Sequence, residues 1–133
     1  MMKLHDTLYI VIPACNEERN IKSVIDEWYS VIDSIDDRPR IVVSNDGSMD
    51  RTKGLVKEIS DLRIKVRLLA KKNGGHGSAV LHGYKYAIEN KAAWVFQTDA
   101  DGQTFSADFD DFWNLRNQYD AVLGMRSKRG DGR

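Results

Sequence analysis

The sequence predicts an α/β fold, an open, mainly parallel sheet with helices on both faces. Three observations carry this. Short apolar runs alternate with longer stretches in which apolar residues recur at helical spacing. The alternation reads β-α-β-α-β-α-β-α-β along the chain. The polar loops all follow apolar runs, which is where open sheets of this kind place their ligands.

Each element has its own signal. Residues 7–13 form a continuous apolar run, a buried strand that Pro13 should stop because it lacks an N–H. Ile21, Val24, Ile25, Trp28, Ile32 and Ile35 mark a first helix, with Glu17 and Glu18 expected in its first turn, where acids suit the dipole. Residues 41–44 are a second strand and 45–50 a turn. Leu55, Val56, Ile59 and Leu62 mark a second helix, and 64–70 a third strand. Asn73-Gly74-Gly75-His76-Gly77 is a flexible loop. Val80, Tyr84, Ala87 and Ile88 mark a third helix, and 93–98 a fourth strand. After the polar loop 99–104, Phe105, Phe109, Phe112 and Trp113 mark a fourth helix, and 121–125 a fifth strand.

Composition narrows the function. The 133 residues suit one domain, taken as 1–133. Lys plus Arg and Asp plus Glu are 20 each, a neutral balance that argues against a general nucleic-acid binder. One cysteine, Cys15, allows no internal disulfide and no cysteine-based zinc site, and points to a reducing, cytoplasmic setting. No apolar run reaches the roughly 18 residues of a membrane helix, and the N-terminus does not read as a signal peptide. The charge is uneven, however. Residues 96–111 hold five acids and no base, suited to a cation, and 125–133 hold four bases and one acid, suited to phosphates or an anionic membrane surface.

The loops carry the candidate chemistry. Asp99-Ala100-Asp101-Gly102-Gln103 offers two carboxylates and an amide oxygen, hard ligands for Mg²⁺ or Mn²⁺; the same residues also make ordinary turns. In Ser44-Asn45-Asp46-Gly47-Ser48-Met49-Asp50-Arg51-Thr52, Asp46 could accept from a base N–H, or the segment could be a turn with Ser48 or Asp50 capping the next helix. Pro13-Ala14-Cys15-Asn16-Glu17 leaves room for a flat ring or a ribose, or Asn16 is a helix cap; Cys15 reads as a passive lining residue. Lys71 and Lys72 precede the glycine loop, which suits an anion at a helix N-terminus or a solvated turn.

Other motifs fail. No G-x-G-x-x-G follows the first strand, residues 77–83 lack the Lys-Ser/Thr of a P-loop, and Thr104 stands where an EF-hand needs glycine. Residues 95–104 look like the nucleophile loop of haloacid-dehalogenase-type phosphatases, with Gln103 intruding.

Taken together, the loops resemble family 2 glycosyltransferases of the GT-A fold, a Rossmann-like nucleotide-sugar-binding architecture. The matching pieces are Val11-Ile12-Pro13-Ala14-Cys15-Asn16-Glu17-Glu18, Asn45-Asp46-Gly47-Ser48-x-Asp50-x-Thr52, Asn73-Gly74-Gly75-His76-Gly77-Ser78-Ala79, Asp99-Ala100-Asp101-Gly102-Gln103 and Asp120-Ala121-Val122-Leu123-Gly124-Met125-Arg126. The Asp-Ala-Asp-x-Gln form is most similar to dolichyl- and polyprenyl-phosphate sugar synthases. The resemblance implies a UDP- or GDP-linked sugar donor bound by Pro13, Ala14, Cys15, Asn16, Glu17, Asn45, Asp46, Lys72, Gly75, His76, Asp99 and Ala100. It implies Mg²⁺ or Mn²⁺ on Asp99, Asp101 and Gln103, and Arg126 near a lipid-phosphate acceptor at the inner face of a membrane. Transfer would proceed with inversion, and any catalytic base would lie beyond Arg133. Three positions depart from the family habit: Asn45 for Asp, Cys15 for Tyr and His76 for Lys. The resemblance expects a further C-terminal half, so the chain reads as a truncated one that could dimerise through the surface left bare. The alternative functions are a nucleotide-sugar binding module inactive without that half and, third, the phosphatase.

Overall fold

The computed structural model describes residues 7–35, 38–101, 106–119 and 121. In chain order these form β1 (Leu8–Ala14), α1 (Ile21–Asp33), β2 (Arg40–Asp46), α2 (Thr52–Leu62), β3 (Val66–Lys71), α3 (His76–Glu89), β4 (Trp94–Gln97), a 3-10 turn (Ser106–Asp108) and α4 (Phe109–Leu115). The four described strands form one parallel sheet in the order β3-β2-β1-β4. The fifth-strand expectation falls on residues 121–125, of which only Ala121 is described.

The strand order explains where the helices go. From β1 to β2 to β3 the chain steps one way across the sheet, and from β3 it returns to the far side of β1. Right-handed crossovers in opposite directions put their helices on opposite faces. Accordingly Leu8, Ile10, Ile12, Ile41 and Val43 pack with the apolar stripes of α1 and α2, while Tyr9 and Val42 pack with Ala87 of α3. The spacing of Ile21, Val24, Ile25, Trp28 and Ile32 is the reason α1 forms where it does: all five are buried on one stripe.

Several boundaries differ from the sequence reading. Pro13 does not stop β1; it pairs with Ser44, and the strand runs on to Ala14. Val11 accepts from Thr98 N–H on the β4 side, and Pro13, two residues on, turns its N the same way, where the β4 ladder has ended. Its missing N–H therefore costs no rung. β2 and β3 each extend to a charged residue, with Asp46 opposite Lys71 in register. β3 starts at Val66 because a turn closes from Val66 N–H to the Arg63 carbonyl. α1 ends at Asp33, where Ser34 and Ile35 bond back only three residues. Glu17 and Glu18 precede α1, whose first turn holds no acid.

Two packing features reach the ligand end of the sheet. Trp28 of α1 meets Phe96 of β4 at a tilt and Phe109 of α4 edge to face, with ring centroids 5.3 and 5.9 Å away, and Phe96 also meets Phe109 and Phe112 at 5.1 and 5.4 Å. This aromatic group joins α4 and β4 to the main core. On the other face, α3 lies so close to β1 that a Cβ on Gly83 would clash with Val11 Cγ1. No described helix is long and apolar enough to cross a membrane.

Two glycine substitutions should therefore act in opposite directions. Gly83→Ala pushes α3 off β1 and should cost about 1–3 kcal/mol, as overpacking does. Gly54→Ala, in an exposed turn of α2 with open space around its Cβ, should stabilise by about 0.5–1 kcal/mol. Chemical denaturation of both variants checks the pair; a neutral Gly83→Ala would contradict the close packing.

Candidate functional site

Strand order reverses between β1 and β4, and at the carboxyl ends of the strands an open cavity of ≈ 280 Å³ lies in the crevice. Pro13, Ala14, Cys15, Glu17, Asp46, His76, Ala79, Asp99, Ala100 and Asp101 line it. Every wall comes from the end of an element: β1 and its loop, the end of β2, the first turn of α3, and the segment after β4.

Asp46 is the most constrained of these residues. It is 3% exposed. Its Oδ1 accepts from Lys71 Nζ at 2.7 Å and from Gly74 N–H at 2.9 Å, and its Oδ2 accepts from Gly75 N–H at 2.9 Å. Asn73 Nδ2 donates to its carbonyl at 3.0 Å. Burial pushes the Asp46 carboxyl upward, but the Lys71 ammonium and the two glycine amides outweigh it and hold the group below the ordinary aspartate value. Gly47 makes the arrangement possible. Its φ is +61°, and a Cβ there would meet Asn73 N at 2.7 Å.

The loops after β1 and β2 are laced together. Asn16, at φ 55°, donates its N–H to Ser48 Oγ at 3.0 Å, and its Oδ1 accepts from Met49 N–H at 2.8 Å. Ser48 Oγ donates to Asn45 Oδ1 at 2.5 Å. Glu17 N–H donates to Thr52 Oγ1 at 2.8 Å, and Glu18 N–H to Asp50 Oδ2 at 3.2 Å. The helix-cap readings of Asn16 and Ser48 are thereby corrected: α1 and α2 begin after Asn20 and Arg51, with no side-chain cap bond from either of those two, whereas Asp50 does take the N–H of Thr52, the first residue of α2, at 2.9 Å. Partial desolvation raises the Asp50 carboxyl, and the Thr52 hydroxyl and the Thr52 and Glu18 amides overcome it, so it too titrates below the ordinary range.

The opposite wall is acidic. Asp99 accepts from Gln97 Nε2 at 3.3 Å. Asp99 and Asp101 face the same cavity, and Ala100 between them is buried. Among the described residues no group of three or more His, Cys, Asp or Glu gathers as a metal cage. Two hard carboxylates in an open cavity fit a cation such as Mg²⁺ or Mn²⁺, which keeps waters and takes phosphate oxygens for its remaining positions.

The structure thus brings Pro13, Ala14, Cys15, Glu17, Asp46, His76, Asp99, Ala100 and Asp101 to one cavity. Asn16 and Asn45 belong to the lacing between the loops and not to the lining, and Gly75 holds Asp46 through its amide. Lys72 is exposed and away from the lining; its carbonyl accepts from Lys71, the lysine that reaches Asp46. Gln103 and Arg126 lie outside the described residues. The sequence reading did not single out Ala79, or Lys71 as the partner of Asp46. Strand parity would have found Lys71: parallel neighbours in register share a pleat face, and Asp46 is in register with Lys71.

A carboxyl held low when folded adds stability above its unfolded value, about pH 4, and that stability is lost as pH falls through the folded value. Thermal unfolding across the acid range should therefore show a steep fall in the wild type. Asp46→Asn should be less stable near neutrality by about 2 kcal/mol and should show a flatter acid limb. Parallel curves for the two would contradict this role of Asp46.

Comparison with known proteins follows the same lines. The family model described as Glycosyl transferase family 2 matches residues 9–133. The chain is 32% identical over 109 residues to dolichyl-phosphate beta-glucosyltransferase ALG5A of Trichomonas vaginalis, covering 77% of this chain and 33% of that protein. It is 29% identical over 109 residues to the UDP-N-acetylglucosamine–dolichyl-phosphate N-acetylglucosaminyltransferase of Methanococcus voltae, covering 72% of this chain and 41% of that protein. The crystal structure of S. aureus TarS 1–349 superposes with a TM-score of 0.67 at 19% identity, covering 93% of this chain and 37% of that one. Its complex with UDP-GlcNAc superposes at 0.61 and 18% identity, covering 92% of this chain and 36% of that one. The TarS likeness shows the fold. The chain spans less than half the length of each of these proteins. With the match extending over nearly all of its residues, the chain belongs to glycosyl transferase family 2.

Proposed function

We propose that this chain, as domain 1–133, binds the donor in a sugar transfer: a UDP- or GDP-linked sugar seated in the cavity at the ends of β1, β2 and β4. The observation that carries the reading is the convergence of Asp99 and Asp101 with Pro13, Ala14 and Asp46 on one crevice. The small β1 residues leave room for a flat ring. The remaining hydrogen-bonding capacity of Asp46 suits a base N–H. Of the four lining carboxylates, Lys71 pairs with that of Asp46. A diphosphate entering beside Glu17, Asp99 and Asp101 would meet like charge unless a cation stood between. Asp99 and Asp101, with Gln103, would hold that cation, and a bound Mg²⁺ or Mn²⁺ supplies charge stabilisation to the departing nucleoside diphosphate.

The acceptor in this reading is a polyprenyl-type phosphate at a membrane surface, with inversion at the anomeric carbon. Relatives named for dolichyl-phosphate transfer support that choice. A phosphate acceptor is already ionised and needs no general base, which suits a cavity whose carboxylates are committed to the donor side. The complexes of TarS with UDP and UDP-GlcNAc support a uridine nucleotide as the first donor to test.

Thermal stability in the presence of UDP or GDP, with and without Mn²⁺, tests the site. A ligand at a hundred times its dissociation constant should stabilise the chain by about 2.7 kcal/mol. The metal-dependent part should vanish in Asp101→Asn. No shift with either nucleotide, whatever the metal, would remove the donor-site reading.

A further inference from the structure

We propose that Thr52 and Asp50 are positioning residues of the donor site, acting through the backbone of Glu17 and Glu18. The proposal rests on the donor-site reading above. Neither residue lines the cavity; Glu17 does. Residues 15–20 belong to no strand or helix, so the hydrogen bonds of this segment decide where the Glu17 carboxylate stands.

The geometry leaves little freedom. Thr52 is fully buried. Its Oγ1 lies 2.5 Å from Asp50 Oδ1 and 2.8 Å from Glu17 N. A hydroxyl has one proton, and an ionised carboxylate can only accept. The Thr52 proton therefore goes to Asp50, which leaves an oxygen lone pair for Glu17 N–H. Asp50 Oδ2 takes Glu18 N–H at 3.2 Å, so one carboxylate fixes two consecutive amides, one directly and one through the threonine. Thr52 N–H also donates to Asp50 Oδ1 at 2.9 Å, which sets the carboxylate's own orientation. The Glu17 carbonyl in turn accepts from Asn20 and Ile21 N–H, so the same residue fixes the start of α1. The aspartate of the loop after β2 and the threonine that opens α2 thus work mechanically, the latter 35 residues from the amide it holds.

Thr52→Val keeps the buried shape and removes the hydroxyl, whereas Thr52→Ser keeps the hydroxyl. Two measurements on each variant decide the matter: calorimetric affinity for UDP and GDP with Mn²⁺, and amide hydrogen exchange. Thr52→Val should bind roughly tenfold more weakly, about the effect of one lost hydrogen bond to a constrained group. The Glu17 amide should exchange faster in it while the interior amides of α2 keep their protection. Thr52→Ser should restore affinity to within about twofold of wild type. Wild-type affinity in Thr52→Val overturns the proposal, as does a Thr52→Ser as weak as Thr52→Val. Asp50→Asn, which keeps an acceptor for Thr52 and loses one carboxylate oxygen, should weaken binding in the same direction. It decides the question if Thr52→Val does not fold, and unchanged affinity in it overturns the proposal too. A wild type that binds neither nucleotide overturns the donor-site reading itself and the positioning role with it.

Discussion

A buried carboxylate at the end of β2 organises the ligand end of this molecule. Asp46 is removed from water, and an unpaired ion there would be costly. The chain answers with one ammonium and two backbone amides, and each donor carries a structural consequence. Lys71 ties the end of β3 to that of β2. The amides of Gly74 and Gly75 draw the loop down over Gly47, and Gly75 then starts α3. The direction in which α3 leaves the sheet, and with it the place of His76 and Ala79 in the cavity, follows from satisfying one charge.

The fold was legible because its signals are periodic. The apolar stripe of α1 and the buried runs of β1 and β2 dictated an alternating α/β chain, and they pack as that pattern requires. The boundaries were less legible, for two reasons. Pro13 was read as a strand breaker, although the rung it cannot make lies where β4 has already ended. Asn45, Asp46 and Lys71 read as loop because they are polar, yet they continue their strands; Asp46 and Lys71 pair across the sheet, which no local window reveals.

The candidate site was legible as a set of loops, since the cavity is lined from the strand carboxyl ends that the rule for open sheets picks out. The division of labour within those loops was not. Asn16, Asn45, Ser48, Asp50 and Thr52 are the residue types that touch ligands, and the same hydrogen-bonding capacity lets them fasten one loop to another. Which use wins depends on whether a hydrogen-bonding group of another turn or loop stands within reach, and that is a property of the assembled fold. Lys72 and Lys71 make the same point: adjacent in sequence, Lys71 ends β3 in register with Asp46 and reaches it, while Lys72 lies past the strand and is exposed.

The two walls of the cavity are fastened by different forces. The Asp46 side rests on hydrogen bonds and an ion pair. The acidic side follows a strand of only four residues, β4, which pairs with β1 and is backed by the aromatic group of Trp28, Phe96, Phe109 and Phe112. Burial of apolar rings weakens on cooling, whereas a hydrogen-bonded charge does not share that temperature dependence. On cooling, the packing behind β4 would weaken while the contacts of Asp46 kept their strength, so the two walls of the cavity differ in how their support depends on temperature.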